Sequence, residues 1–253
     1  MRTPGSVGEK TAERIRAKSL DLIARHGFAA VSMRMIADAV GVTPGTLYNH
    51  VPGKQALLVG LMQGHMDRLL QSWAEASAGS NPGFDAGFDA GLEARFEPGL
   101  DPGLEPGLDP GPDSCDDPVR ALDHFARFHI RYHITRPDDV FVAYMELRAL
   151  EAEGFARIEA LRRRYEAIPK AIIRAGIAQG VFQAGDADLA AMALLAMLTG
   201  VNTWYRPGGR LSAGEIEEIY AAMALRSLGA GQARAGASGG GILGTLKDAE
   251  VAP

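Results

Sequence analysis

Between Ser32 and Val51 the chain places Ala37, Gly41 and Leu47 at spacings of four and six residues, and this run restricts the fold more than any other part of the sequence. A small residue at 37 lets two helices cross closely, Gly41 permits the left-handed backbone of a sharp turn, and Leu47 reaches back into the space beneath the crossing. Ile36, Val40 and Val42 supply the remaining apolar contacts. The caps agree with this reading. Ser32 can cap a short helix from Met33 to Val40, and Thr43-Pro44 reads as an N-cap followed by proline at the first helical position, where its missing N–H costs nothing. The pattern is a helix-turn-helix.

A second helix packed in this way turns Thr43, Thr46, Tyr48, Asn49 and His50 outward, at the start of a helix sized for a DNA major groove. Hydroxyls, an amide and an imidazole can read base edges. Tyr48 and the N–H groups at the helix start suit phosphates, as does Lys54 at the opening of the next helix. The candidate DNA contacts are therefore Ser32, Arg34, Thr43, Pro44, Gly45, Thr46, Tyr48, Asn49, His50 and Lys54. The net charge of −5 looks wrong for such a protein until its distribution is read. Residues 77–118 hold ten acidic side chains against Arg95 alone, whereas residues 1–57 hold eight Lys or Arg against four Asp or Glu. The basic charge sits where a phosphate backbone would be met.

The rest of the chain reads as helical. An amphipathic stretch over 11–26, with Ile15, Ser19, Leu22 and Ile23 on one face, precedes the motif, and a helix from Lys54 to about Ala76 follows Pro52-Gly53. Phe84 to Gly111 then repeats a four-residue unit seven times, from Phe-Asp-Ala-Gly to Leu-Asp-Pro-Gly. Proline and glycine in most units forbid a propagating helix, and one apolar residue per unit cannot build a core. We expect a disordered acidic insert over 77–116; an arm that mimics DNA or docks a partner is the alternative. Beyond it, helices are expected over Pro118–Arg136, Asp139–Glu151, Phe155–Gln179 with a bend at Pro169, Ala187–Trp204, and Ser212 to about Gly229, followed by a disordered tail over 229–253. No stretch shows strand alternation between hairpin turns. The fold class is all-α, with a DNA-binding domain over 1–57 and a larger helical body over 58–228.

At this point the run from Ser32 to Val51, continued by Gly53-Lys54-Gln55-Ala56-Leu57-Leu58, resembles the N-terminal domain of the TetR (tetracycline repressor) family over about residues 10–60. Two positions depart from the family pattern: Val51 stands where phenylalanine is usual, and Gln55 where an acidic residue is common. The resemblance implies a homodimer whose C-terminal helices bind a small molecule and release a palindromic DNA operator, repression being the default. Asn202 to Ser212, with the helix after it, is similar to the branch that includes repressors of fatty-acid and steroid catabolism, several of which sense acyl-CoA thioesters. On that analogy Arg148, Arg162, Arg163 and Arg164 are candidates for CoA phosphates. A solvated helix face is the favoured explanation of the last three.

Phe125, Phe128, His129 and Tyr132 recur at helical spacing, and Tyr144 and Met145 follow on the next helix. With Arg148 and Trp204 they form the candidate effector pocket; a packed core would show the same stripe. His129 and His133 stand at a spacing that metal sites use, but no third ligand accompanies them, and neither metal nor other cofactor is expected. The apolar Leu189–Val201 stretch and the Ile216–Leu228 helix are expected to pair with their copies in a second subunit. Burial within one subunit would give the same pattern.

No metalloprotease, nucleophile-elbow or phosphate-loop motif is present, so an enzyme is not expected. The first thirty residues lack the apolar run of a leader, and Leu189–Leu198 is shorter than the ~20 residues of a membrane span. With Cys115 as the single cysteine, a cytoplasmic location without membrane attachment is expected. The competing function is a helical adaptor that recruits partners through the acidic repeat. It would show no specific DNA binding.

Overall fold

The computed structural model describes residues 7–78 and 116–231, which are helical throughout, with no strand among them. Most of the expected acidic insert, Cys115 and all but the first residues of the tail lie outside the described residues. In chain order the helices are α1 (Val7–His26), α2 (Met33–Val40), α3 (Pro44–His50), α4 (Lys54–Ser77), α5 (Pro118–Ile134), α6 (Pro137–Met145), a 3-10 turn (Leu147–Ala149), α7 (Ala152–Ala178), α8 (Ala187–Thr199), the short α9 (Val201–Trp204) and α10 (Ala213–Ser227).

Two apolar cores organise them. In the first, α1 buries Ile15 and Ile23 against Ile36, Ala37 and Val40 of α2 and Leu47 of α3. The first half of α4 closes this core from below with Leu57, Leu58, Leu61 and Met62. Each such fully buried aliphatic side chain contributes about 1.5–3 kcal/mol of transfer free energy. The second core joins Met66, Leu69 and Trp73 from the other half of α4 to Leu122, Phe125 and Ile130 of α5, Ile168 and Ile172 of α7, and apolar residues of α8 and α10. A boundary at residue 57 therefore cuts through a helix that serves both cores. The body also reaches into the head: Val142 of α6 and Ile158 of α7 belong to the first core.

Local chemistry sets the joints. Asp117 accepts from the N–H of Arg120 and opens α5, Asp186 caps α8, and Ser212 with Glu215 forms a reciprocal capping box on α10. Arg131 of α5 donates two bonds, of 3.0 and 2.6 Å, to the nearly buried Glu217 carboxylate and fastens α10 to α5. A Cβ at Gly176 would lie 2.0 Å from the Phe182 ring, so only glycine lets the turn after α7 fold back on the helix.

Three expectations about elements change. Pro137, read as a stop, is the first residue of α6, where its fixed φ suits a helix start. The expected helix to Glu151 ends at Met145 and gives way to the 3-10 turn, because Leu150 and Glu151 are extended; Glu151 then caps α7, which begins at Ala152 rather than Phe155. The stretch Ala187–Trp204 is divided at Gly200 into α8 and α9. By length and mean hydropathy of 1.2 those 18 residues could cross a membrane. Instead, Ala191, Leu194, Leu198 and Val201 pack into the body core.

Candidate functional site

The head presents a short helix on a fixed turn. Gly41 adopts φ +75°, and its N–H bonds the carbonyls of Ala37 and Asp38, ending α2 so that α3 can start three residues later. Ser32 Oγ accepts from the Met35 N–H, and Thr43 Oγ1 accepts from the Thr46 N–H at 3.2 Å. The Arg14 guanidinium of α1 donates to the Val40 carbonyl at the same corner.

Leu47 is fully buried, while Thr43, Pro44, Gly45, Tyr48, Asn49 and His50 are exposed and Thr46 partly so. Tyr48 leaves 51% of its surface free, a high value for an aromatic residue on so small a domain. Ser32 and Arg34 are exposed on the first turn of α2, beside the start of α3. The hydroxyls of Thr43 and Thr46 lie 2.9 Å apart and bond each other, so one of them is committed to the cap. His50 also borders a cleft of about 260 Å³ between α1 and α4, walled by Ile15, Val51, Leu57 and Leu61. Lys54 is folded back: its Nζ sits 4.2 Å from the centre of the Phe28 ring and donates to the Ala29 carbonyl.

In the body, five of the candidate pocket residues come together. Phe125 and His129 are fully buried, Tyr132 nearly so, and Phe128 and Tyr144 are partly covered. His129 Nδ1 lies 3.0 Å from the Tyr165 hydroxyl and its Nε2 lies 3.1 Å from Thr199 Oγ1. Its ring stacks on His133 at 3.7 Å, and His65 of α4 stands 5.9 Å from Tyr132 and 6.3 Å from His133. Burial keeps all three histidines neutral: it depresses His65 to about 4 and His133 to about 3, and holds His129 well below the usual range. The same burial raises Tyr144 and, further, Tyr165.

Three expected pocket residues lie elsewhere. Met145 is 64% exposed at the end of α6, and Arg148 is exposed on the 3-10 turn. Trp204 is 48% exposed and stacks on Tyr220. The α6 break rotates the first two away from the rings, and α9 carries the third to the surface. Among the arginines, Arg163 pairs with Glu159 on the outer face of α7, whereas Arg162 lies 4.6 Å from the centre of the Tyr144 ring, against the aromatic cluster.

Four participants are not among the candidate site residues, although Gln55 is a noted departure from the family pattern. His65 falls on the apolar face of α4, in step with Leu58, Leu61, Met62 and Leu69, and that periodicity marked it as inward-facing. Tyr165 and Thr199 reach His129 from distant helices, which no local pattern announces. The fourth, Gln55, joins the head to the body. Its Nε2 donates to the Ala149 carbonyl at 2.7 Å and its Oε1 accepts from the Glu151 N–H at 3.3 Å. Close by, Glu146 accepts from the Phe28 N–H at 3.0 Å, so the segment 146–151 is bonded to the head at both ends.

Known proteins resemble the chain in both of its parts. Residues 15–61 match the family described as "Bacterial regulatory proteins, tetR family", and residues 115–228 match "Tetracyclin repressor-like, C-terminal domain". The chain belongs to the TetR family. It is a DNA-binding transcriptional regulator, as the members of this family are, and not an enzyme. Among other TetR-family proteins it is similar to the HTH-type transcriptional repressor KstR2 of Rhodococcus jostii (strain RHA1), with 24% identity over 89% of this chain and 94% of the relative. A solved tetR-family regulatory protein from Rhodococcus RHA1 matches with a TM-score of 0.65 at 24% identity, covering 87% of this chain and 97% of that one. AibR, solved in complex with isovaleryl coenzyme A and operator DNA, matches with a TM-score of 0.62 at 23% identity, covering 84% and 97%.

The dimer expectation meets an uncovered face. Leu189 and Met192 of α8 are 66% and 59% exposed, and Ile219 and Met223 of α10 carry further apolar surface. Ala191, within the stretch expected to form the interface, points into the body and is fully buried, whereas Ala193 and Ala196 are exposed.

Proposed function

We propose that this TetR-family regulator is a cytoplasmic repressor that binds a palindromic operator as a homodimer and is released from it by the CoA thioester of a small, largely apolar acid. The bonded joint between Gln55, Glu146 and the segment 146–151 carries the reading. α6 lies between the buried ring cluster and the head, contributing Tyr144 to one side and Val142 to the other. A ligand that displaces α6 therefore shifts the platform on which α1 to α3 rest, and with it the angle of α3 in the groove. Arg162, held against Tyr144, and Arg136, held against Tyr132, are cations at the edge of the cluster that could meet an anionic group of such a ligand.

The acyl-CoA class rests on similarity: the operator complex of AibR contains isovaleryl coenzyme A, and KstR2 is named a repressor. The uncovered α8–α10 face supports a symmetric dimer, which pairs two α3 helices with two half-sites. Calorimetry of the full chain with short and medium acyl-CoAs tests the ligand class. Micromolar binding of at least one ester is expected. Absence of binding by all of them, with another compound class releasing the DNA, would overturn it.

A further inference from the structure

Two buried histidines of the body have ring nitrogens with no hydrogen-bond partner in the protein: His65 at both positions and His133 at Nε2. Both side chains are fully buried, and buried polar atoms are ordinarily satisfied by protein or water, so these nitrogens call for a partner that the protein itself does not supply. Their protonation follows from the one bond they make. His133 Nδ1 lies 2.7 Å from the carbonyl oxygen of His129, and a carbonyl only accepts, so Nδ1 carries the proton. Nε2 of the neutral ring then offers a lone pair and nothing else. His65, neutral and unpartnered, offers one N–H and one lone pair whichever tautomer it adopts.

The ring centres stand 6.3 Å apart at an interplanar angle of 86°. A 6.3 Å separation of the centres is compatible with one oxygen bonded to a nitrogen of each ring at about 2.8 Å. Tyr132 flanks both rings at 5.9 Å and Tyr144 stands 6.1 Å from His133, so the surroundings are aromatic, with Arg136 and Arg162 set over the two tyrosine rings.

We propose that His65 and His133 form a hydroxyl-recognition subsite: a ligand hydroxyl donates to His133 Nε2 and accepts from the His65 N–H, on a skeleton otherwise apolar. The subsite rests on the reading that the body binds an effector, and it narrows that effector to a hydroxyacyl thioester. A ketone fails because its oxygen only accepts and would face the His133 lone pair. A carboxylate fails for the same reason, since it brings no hydrogen to the His133 lone pair. A metal lacks a third ligand among the described residues.

The test titrates the full chain with butyryl-CoA, 3-hydroxybutyryl-CoA and acetoacetyl-CoA. The hydroxy ester is expected to bind about tenfold more tightly than butyryl-CoA, with the keto ester no better than butyryl-CoA. His133→Leu removes the preference for the hydroxy ester over butyryl-CoA, and His133→Gln, which keeps an acceptor near the Nε2 position, restores part of it. Equal affinities in the wild-type protein, or a preference that survives His133→Leu, would overturn the proposal and leave a buried water as the group that completes the pair. Should no CoA ester bind, the acyl-CoA reading fails, and cyclohexanol against cyclohexanone on ¹⁵N-histidine-labelled protein decides this one. A shift of the His133 Nε2 resonance with the alcohol alone upholds it; equal shifts, or none, overturn it.

Discussion

Gln55 Nε2 donates to the carbonyl oxygen of Ala149 at 2.7 Å, tying the first turn of α4 to the 3-10 turn that follows α6. Its amide is suited to this joint because it donates on one side and accepts from the Glu151 N–H on the other. The acidic residue common at this position in the family could make only the second bond.

Gln55→Glu and Gln55→Ala are therefore both expected to leave operator affinity nearly unchanged. Gln55→Glu, which loses one bond, raises the effector concentration needed for release by about fivefold, the worth of one net hydrogen bond of about 1 kcal/mol, and Gln55→Ala, which loses both, raises it further. Anisotropy titrations of an operator fragment with and without effector check this. A parallel loss of basal DNA affinity would mean that the joint holds the head together rather than transmitting a signal.

On the reading face, Asn49→Ala is expected to relax base preference, while Tyr48→Ala weakens binding to all sequences. Lys54→Ala does the same with a smaller effect, because the ammonium must first leave Phe28 and the Ala29 carbonyl to reach a phosphate. Thr46→Ala also breaks a bond to Thr43 Oγ1, so its loss of specificity comes with a less firmly capped α3. Competition between operator and random DNA separates these outcomes.

Val51 borders the cleft between α1 and α4. Val51→Phe restores the bulk usual in the family and is expected to stabilise the protein by about 1 kcal/mol, or a few degrees in Tm, by filling that space. A fall in Tm would show that the cleft cannot admit the ring without displacing α1.

The buried histidines set an acid limit. His65 and His133 are neutral in the folded chain down to about pH 4 and 3, whereas in the unfolded chain they titrate near 6.5. Between those values the unfolded state binds more protons. Their contribution is therefore intact above pH 6.5 and is lost as pH falls, by about 1.4 kcal/mol per pH unit for each ring. Urea unfolding at pH 7.5, 6 and 5 should show this slope, reduced by one proton in His133→Leu. An unchanged slope in that variant would place the titrating groups elsewhere.

Leu189→Glu with Met223→Glu puts charge on the uncovered face and is expected to give a monomer by light scattering, with loss of operator binding but an unaltered far-UV spectrum. A folded dimer in this variant would move the interface off α8 and α10.

The head was legible because its information is local. Ala37, Gly41 and Leu47 act within one turn of chain, and Ser32 and Thr43 cap the helices that follow them. The body's helices were equally legible in outline, and its aromatic stripe does converge. What stayed hidden depends on long-range placement: whether Met145 faces the rings depends on where α6 ends, and Pro137, which the preceding helix does stop short of, also opens α6 two residues earlier than expected. His65, Gln55 and Glu146 acquire their roles from partners far along the chain.

The most direct test is footprinting of the region upstream of the protein's own gene, repeated across a series of acyl-CoA esters. The account predicts a protected palindrome, bound with affinity that falls steeply with salt and lost when a micromolar acyl-CoA is added. A palindrome that stays protected in the presence of every ester, or no protected site at all, would contradict it.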